Sequence, residues 1–216
     1  DVRLAAAGVG RISHRREHIG RRVVRRQDVR EVQAGGLLLT EHLEGVGIVL
    51  RRWTQTDAEV LHSLVTANVD HLRPWMPWIA LEPLSIDDRH KLLVEWAGSW
   101  EQGREFTYVI EKDGTPSGST GLHARQGTGV LEIGYWVSAA AVGGGIATAA
   151  ARTLADLAFT LDDVDSVEIH HDAANVASGR VAEKAGFERR MSYAREISAP
   201  GESGTTVKWV LSRPAR

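Results

Sequence analysis

The run Gly143-Gly144-Gly145-Ile146-Ala147-Thr148 sets three glycines at the mouth of an alanine- and leucine-rich stretch. Glycine loses the most backbone freedom on folding, so three at a helix entrance need a reason. The chemistry on offer is anion binding. The first N–H groups of a helix lack internal partners, and the helix dipole makes that end positive. Glycines let a phosphate approach the main chain unobstructed, so these six residues could cradle a pyrophosphate. A Walker loop would require Gly-Lys-Ser/Thr, and no lysine stands here. A dinucleotide fingerprint would need G-x-G-x-x-G beside the first strand, and this loop comes late and lacks that spacing. A Gly-rich turn without a ligand is the competing reading.

Other residue types invite chemistry less strongly. His170 and His171 are adjacent on a strand-like run, so they point to opposite faces and cannot chelate one ion together; no metal site is expected. Asn175 reads as an N-cap, and Ser178 falls three residues later in the first turn of the same helix. Trp75 and Trp78 flank Met76-Pro77 in a proline-stiffened segment, which presents aromatics at little entropic cost or folds them back as core. With no cysteine in the chain, disulfides and thiolate chemistry are excluded, in keeping with a reducing cytoplasm.

Elements able to position these groups follow from periodicity. Gly47–Trp53 has a β-like apolar core, and Thr56 with Glu59 predicts a capping box for a helix bearing Val60, Leu61, Leu64 and Val65 on one face. Prolines 74, 77 and 83 break the next segment into loop or short turns. Ser85, with Asp87 and Asp88 in the first turn, opens a helix that closes at Gly103. Asp113-Gly114 marks a hairpin, and residues 129–138 form a further strand leading to the glycine loop. A helix of about four turns follows, with Ile146, Ala150, Leu154, Leu157 and Leu161 along one side. After it come a strand with Val167 and Ile169 on one face, a short helix from Asn175 to Gly186, and two final strands. The expected class is α/β: one layered domain with a mixed, mostly antiparallel sheet flanked by helices.

The charge is uneven. Residues 1–38 carry nine arginines against four acids, whereas the remainder carries 17 basic and 24 acidic residues. Residues 1–38 are therefore expected to be a basic, disordered arm, with docking onto RNA as its alternative. The domain proper spans 39–216. A formal net charge of −2 argues against a nucleic-acid binder, and no apolar run or leader of secretory type directs the chain to a membrane.

Three stretches in order carry a family resemblance: the "IGYWV" strand, the "GGGIATAAARTL" loop and helix, and "AANVASGRVAEKAGF". Together with "LRPWMPW" they closely resemble the GNAT superfamily of acyl-CoA-dependent N-acetyltransferases, over residues 47–212, and most of all its RimJ/RimL branch. The family's loop reads Gln/Arg-x-x-Gly-x-Gly/Ala. Here Val142 stands where the family usually has Arg or Gln, Gly144 lacks a frequent basic side chain, and Ala149 replaces a frequently acidic one. Main-chain donors survive these changes while side-chain charge is lost, so coenzyme binding weaker than in a typical member is expected.

The resemblance implies acetyl transfer from acetyl-CoA to a primary amine, with a protein N-terminus as the first candidate. Alternatives are a small-molecule or antibiotic amine as acceptor, and an acyl-CoA-binding module with little turnover. It also implies a strand that splays from its neighbour, exposing Tyr135, Trp136 and above all the Val137 N–H to the pantetheine arm and thioester. Gly143, Gly144, Gly145, Ile146, Ala147 and Thr148 would hold the diphosphate, and Asn175 a pantetheine amide as well as its cap. Glu132 is the candidate base, directly or through water, or else a strand carboxylate. Ser178 is the candidate proton donor to the thiolate, or a helix-turn serine. Trp75 and Trp78 would wall the acceptor pocket. A second copy of the chain, as a homodimer, is a further candidate partner.

Overall fold

The computed structural model describes residues 39–214. The expectation of a basic arm over residues 1–38 lies outside the described residues. A hairpin of β1 (His42–Gly45) and β2 (Ile48–Arg52) leads into α1 (Ala58–Thr66), the single turn α2 (Val69–Leu72) and α3 (Ile86–Glu101). Strands β3 (Glu105–Lys112), β4 (Thr115–His123) and β5 (Val130–Val137) follow, then α4 (Ile146–Ala158) and β6 (Ser166–Asp172). The last described elements are α5 (Val176–Ala185), β7 (Glu188–Ala194) and β8 (Thr205–Ser212). The eight strands form one sheet in the order β1-β2-β3-β4-β5-β6-β8-β7. Every neighbour is antiparallel except β5 and β6, which run parallel.

Helices cover both faces. On one, α4 and α5 lie over Tyr108, Ile110, Leu122, Leu131, Ile133, Val167 and Ile169. Ala150, Ala151, Ala155 and Ala158 are buried beneath α4, and their small side chains let that helix sit close to the sheet. On the other face, α1 and α3 pack Leu61, Val65, Leu92 and Leu93 against Trp53, Val109 and Trp136. Each fully buried leucine contributes about 1.5–3 kcal/mol over an exposed one.

The helix from Ser85 forms with the expected cap: Ser85 Oγ accepts the Asp88 N–H at 3.1 Å, and Asp88 reaches back to the Ser85 N–H. The Asp113-Gly114 turn has both residues at positive φ, joining β3 to β4. Two expectations change. The capping box before α1 is Thr54 with Asp57, closing a short 3-10 turn, because Arg51 also binds Asp57 and draws the start forward. Val60 is exposed, and Ala58 completes the buried face instead. The strand β1 had no sequence expectation; its four residues alternate between exposed and half-buried, too short for a periodic signal.

Candidate active site

The ladder between β5 and β6 is short. Val130, Leu131 and Glu132 pair with Ser166, Val167 and Glu168, and there the pairing ends. Beyond Glu132, β5 stays paired to β4 as far as Val137. The Ser138 N–H donates to Ser117 O across that ladder at 2.8 Å. Because successive strand amides face opposite sides, the Val137 N–H points into the gap left by β6. Trp136 faces its amide to β4 and buries its ring in the α1–α3 core.

This gap opens into a groove of about 1260 Å³ that runs from Ser178 and Asn175, past Trp136 and Val137, to the loop Gly143–Thr148. Gly143 and Gly145 adopt φ of 84° and 76°, a left-handed conformation that glycine takes without strain. Gly145 is the N-cap of α4, and the Ala149 N–H donates to its carbonyl at 2.9 Å. The N–H groups of Ile146, Ala147 and Thr148 come before that bond and have no helical acceptor. Gly144 is different: it has ordinary φ, and a side chain there would meet only ordinary contacts. One of these is the Lys112 ammonium at the end of β3, 3.8 Å from where a Cβ would stand. Arg152, Arg180 and Lys184 also line the groove. Positive charge near the loop thus comes from other elements, and Val142 itself is 57% exposed. Sequence spacing gave no sign of Lys112, since a hairpin end finds its place only through the sheet.

Asn175 is the N-cap of α5, its Oδ1 accepting the Ser178 N–H at 3.1 Å. Ser178 Oγ lies 2.8 Å from the Tyr135 hydroxyl, which is also 3.1 Å from the Ser178 carbonyl. Burial pushes the Tyr135 phenol well above its ordinary pKa, with Ser178 opposing the rise. Asn68, another residue without a sequence signal, ties α1 to the loop: its Oδ1 accepts the Ala139 N–H and its Nδ2 donates to Leu64 O, both at 2.8 Å.

A second, smaller cleft of about 110 Å³ meets the groove at Trp75, Met76, Tyr135, Asn175 and Ser178. Glu132, His170, Arg195 and Glu202 line its far side. Glu132 is buried and receives the Arg125 guanidinium on both oxygens, with the Gln126 amide also donating to one of them. Burial pushes its pKa up, but Arg125, Gln126 and the charge of His170 together hold it below the ordinary carboxylate value. Glu132 is one step in a rung that crosses four strands, through Glu105, His123, Glu132 and Glu168. Lys208 and His170 bind Glu168, at 2.5 and 2.8 Å.

Not every expected residue reaches a cavity. Trp78 lines neither and turns into the α1–α3 core, its ring 6.2 Å from that of Trp136. The five-residue 3-10 turn Pro77–Leu81 fixes that direction, leaving Trp75 alone at the junction. His171 donates from Nδ1 to Asp172 O and accepts the Trp209 indole N–H at Nε2, at 2.7 and 2.9 Å. Both nitrogens are satisfied by the neutral ring, and burial lowers the His171 pKa in the same sense. Among the described residues no group of His, Asp and Glu could hold a metal ion.

The Acetyltransferase (GNAT) domain profile matches residues 48–188. The chain belongs to the GNAT acetyltransferase family. "Putative ribosomal N-acetyltransferase YdaF" of Bacillus subtilis is 32% identical over 142 residues, covering 65% of this chain and 77% of its own. RimJ of Mycobacterium smegmatis, solved with a coenzyme A disulfide, superposes with a TM-score of 0.68 at 25% identity, over 79% of this chain and 85% of its own. The RimL ribosomal L7/L12 α-N-protein acetyltransferase, solved with coenzyme A, gives 0.73 at 19% identity over 80% and 98%, a likeness of fold. Its neighbours therefore place the chain among RimJ/RimL-like members of the family. None of the described helices is long and apolar enough to cross a membrane.

Proposed function

We propose that this GNAT enzyme moves an acetyl group from acetyl-CoA to a primary amine, the α-amine of a protein of the ribosomal kind. The observation that carries the reading is the meeting of two cavities at Ser178. A long groove with amide donors at one end joins, at the other, a short cleft lined by Glu132, Asp172 and Glu202 together with Arg195 and two histidines. The groove fits the coenzyme. The amides of Gly143–Thr148, with Lys112 above Gly144, would hold the diphosphate. Asn175 would receive the pantetheine arm, and the Val137 N–H would polarise the thioester carbonyl as charge develops there. When bound, the coenzyme supplies an acyl carbon already reactive toward a neutral amine, so orientation accounts for much of the rate.

The chain's own groups handle the protons. Glu132 draws the incoming ammonium into the cleft by charge and accepts its proton through water; its depressed pKa makes it a modest base. Ser178 donates to the departing sulfur. Trp75 walls the acceptor entrance. Cationic N-termini suit a cleft lined by Glu132 and Glu202, and YdaF and RimL are named for ribosomal-protein acceptors. A reaction on such acceptors belongs, in this reading, to the cytoplasm.

The chain lacks cysteine, so thiol released from acetyl-CoA can be read directly with the intact protein. Alanine- and serine-initiated peptides should release thiol faster than small amines do. Release with small amines alone would transfer the assignment to a small-molecule acceptor. Coenzyme binding without release for any acceptor would leave a binding module.

A further inference from the structure

We propose that Tyr135 is a positioning residue for the Ser178 hydroxyl, setting whether its proton faces the helix or the groove; this rests on the reading of Ser178 as donor to the departing sulfur. Tyr135 lies on β5 with its ring packed against the α4–α5 core, and its oxygen reaches under the first turn of α5. It carries one proton and faces two acceptors in one residue: the Ser178 carbonyl at 3.1 Å and Ser178 Oγ at 2.8 Å. If Tyr135 donates to the carbonyl, its oxygen accepts the Ser178 proton, which is then turned inward. If Tyr135 donates to Oγ, the Ser178 proton is released toward the groove. The bond received at Oγ also polarises that hydroxyl and makes it a better donor.

The surroundings restrict Ser178 to this choice. Its N–H is pinned by Asn175 Oδ1 at 3.1 Å, so the residue cannot swing away from Tyr135 without uncapping α5. Burial keeps the phenol protonated, so it remains a donor throughout the reaction. In the transfer, the bond from nitrogen to the acyl carbon forms as the bond to sulfur breaks. Ser178 gives its proton to the sulfur while the Tyr135 hydrogen bond holds the charge left on Oγ. Glu132 takes the first proton of the ammonium before attack; the second, shed as the amide forms, passes through water to Oγ as Ser178 protonates the sulfur, so Tyr135 keeps its own and no other reactant is needed. β5 thus contributes to the site twice, with its Val137 amide and with a side chain that works through another helix.

A double-mutant cycle in the full chain tests this, using acetyl-CoA with an alanine-initiated peptide. Tyr135→Phe retains the ring and removes only the hydroxyl. It should lower kcat about tenfold, the effect of one hydrogen bond made in the transition state, and leave the KM for acetyl-CoA within about twofold. In a Ser178→Ala background the same substitution should change kcat less than twofold. Equal loss in both backgrounds would show a merely structural role and overturn the proposal, as would an unchanged kcat in Tyr135→Phe. A rise in KM without a fall in kcat would also overturn it. If Ser178→Ala alone leaves kcat intact, the reading of Ser178 fails, and the proposal fails with it for a distinguishable reason. Should no peptide be acetylated, the cycle is read on acetyl-CoA hydrolysis, which discharges the same thiolate and carries the same expectations. Melting temperatures of all variants show whether any loss is one of folding.

Discussion

At the residue scale, the three loop glycines have different reasons to be there. Gly143 and Gly145 are held at positive φ, where a Cβ is strained, so Gly143→Ala or Gly145→Ala should cost about 1 kcal/mol of stability and disturb the diphosphate cradle. Gly144 has no such demand, so Gly144→Ala should fold as the parent does. Lys112→Ala should weaken coenzyme binding about twofold to fivefold, with the loss shrinking at high salt, since an exposed charge contributes only about 0.2–1 kcal/mol. Titration calorimetry with coenzyme A separates the two. Glu132 makes a prediction about pH. Its folded pKa is depressed, so the pair with Arg125 stabilises fully above the unfolded carboxylate value, and that contribution fades as pH falls through the folded one. Arg125→Leu should remove this acid limb below about pH 4 and lower stability by about 2 kcal/mol near neutrality, less than a fully buried pair because Arg125 is partly exposed.

At the element scale, the proposed site depends on two strands parting and on two loops being held over the gap. The segment bearing Trp75 is anchored by Glu82, whose carboxylate meets the Arg89 guanidinium of α3 at 2.5 Å; both side chains are almost wholly buried. Arg89→Met would leave that carboxylate unpaired, at a cost of about 3–5 kcal/mol and a melting temperature lowered by roughly 10 °C. On the opposite side, the loop between β7 and β8 is gathered by Asp172, which accepts the N–H groups of Ser203, Gly204 and Thr205. That loop touches the Trp75 segment where the Gly201 N–H donates to Pro74 O at 2.9 Å. A Cβ on Gly201 would lie 2.6 Å from that oxygen. Gly201→Ala should therefore raise the KM for the acceptor peptide and leave that for acetyl-CoA nearly unchanged, because the neighbouring Glu202 lines the small cleft and not the groove. An equal rise in both would mean that the loop does not belong to the acceptor side.

At the scale of the whole molecule, what was legible in the sequence was what local chemistry decides. Caps at Ser85 and Asn175, the Asp113-Gly114 turn and the apolar face of α4 all depend on neighbours within a few residues, and all formed. The glycine turn that opens α4 with unpartnered amides was legible because it needs no distant partner. Long-range placement was not legible. Lys112 arrives from a hairpin more than thirty positions upstream, the Tyr135–Ser178 contact spans 43 residues, and Trp78 turns to the core because Trp136 is there to receive it. The family match fixes the architecture that brings them together, while acceptor choice, which we assign to the small cleft, is not dictated by the fold.

The central claim is that the amides opening α4 hold the coenzyme's diphosphate. It is tested most directly by titrating coenzyme A into nitrogen-15-labelled protein and following each backbone amide by NMR. The account predicts that Gly143 to Thr148 and Val137 shift most and saturate together. Saturable binding that leaves those amides unmoved, with the large shifts elsewhere, would contradict it.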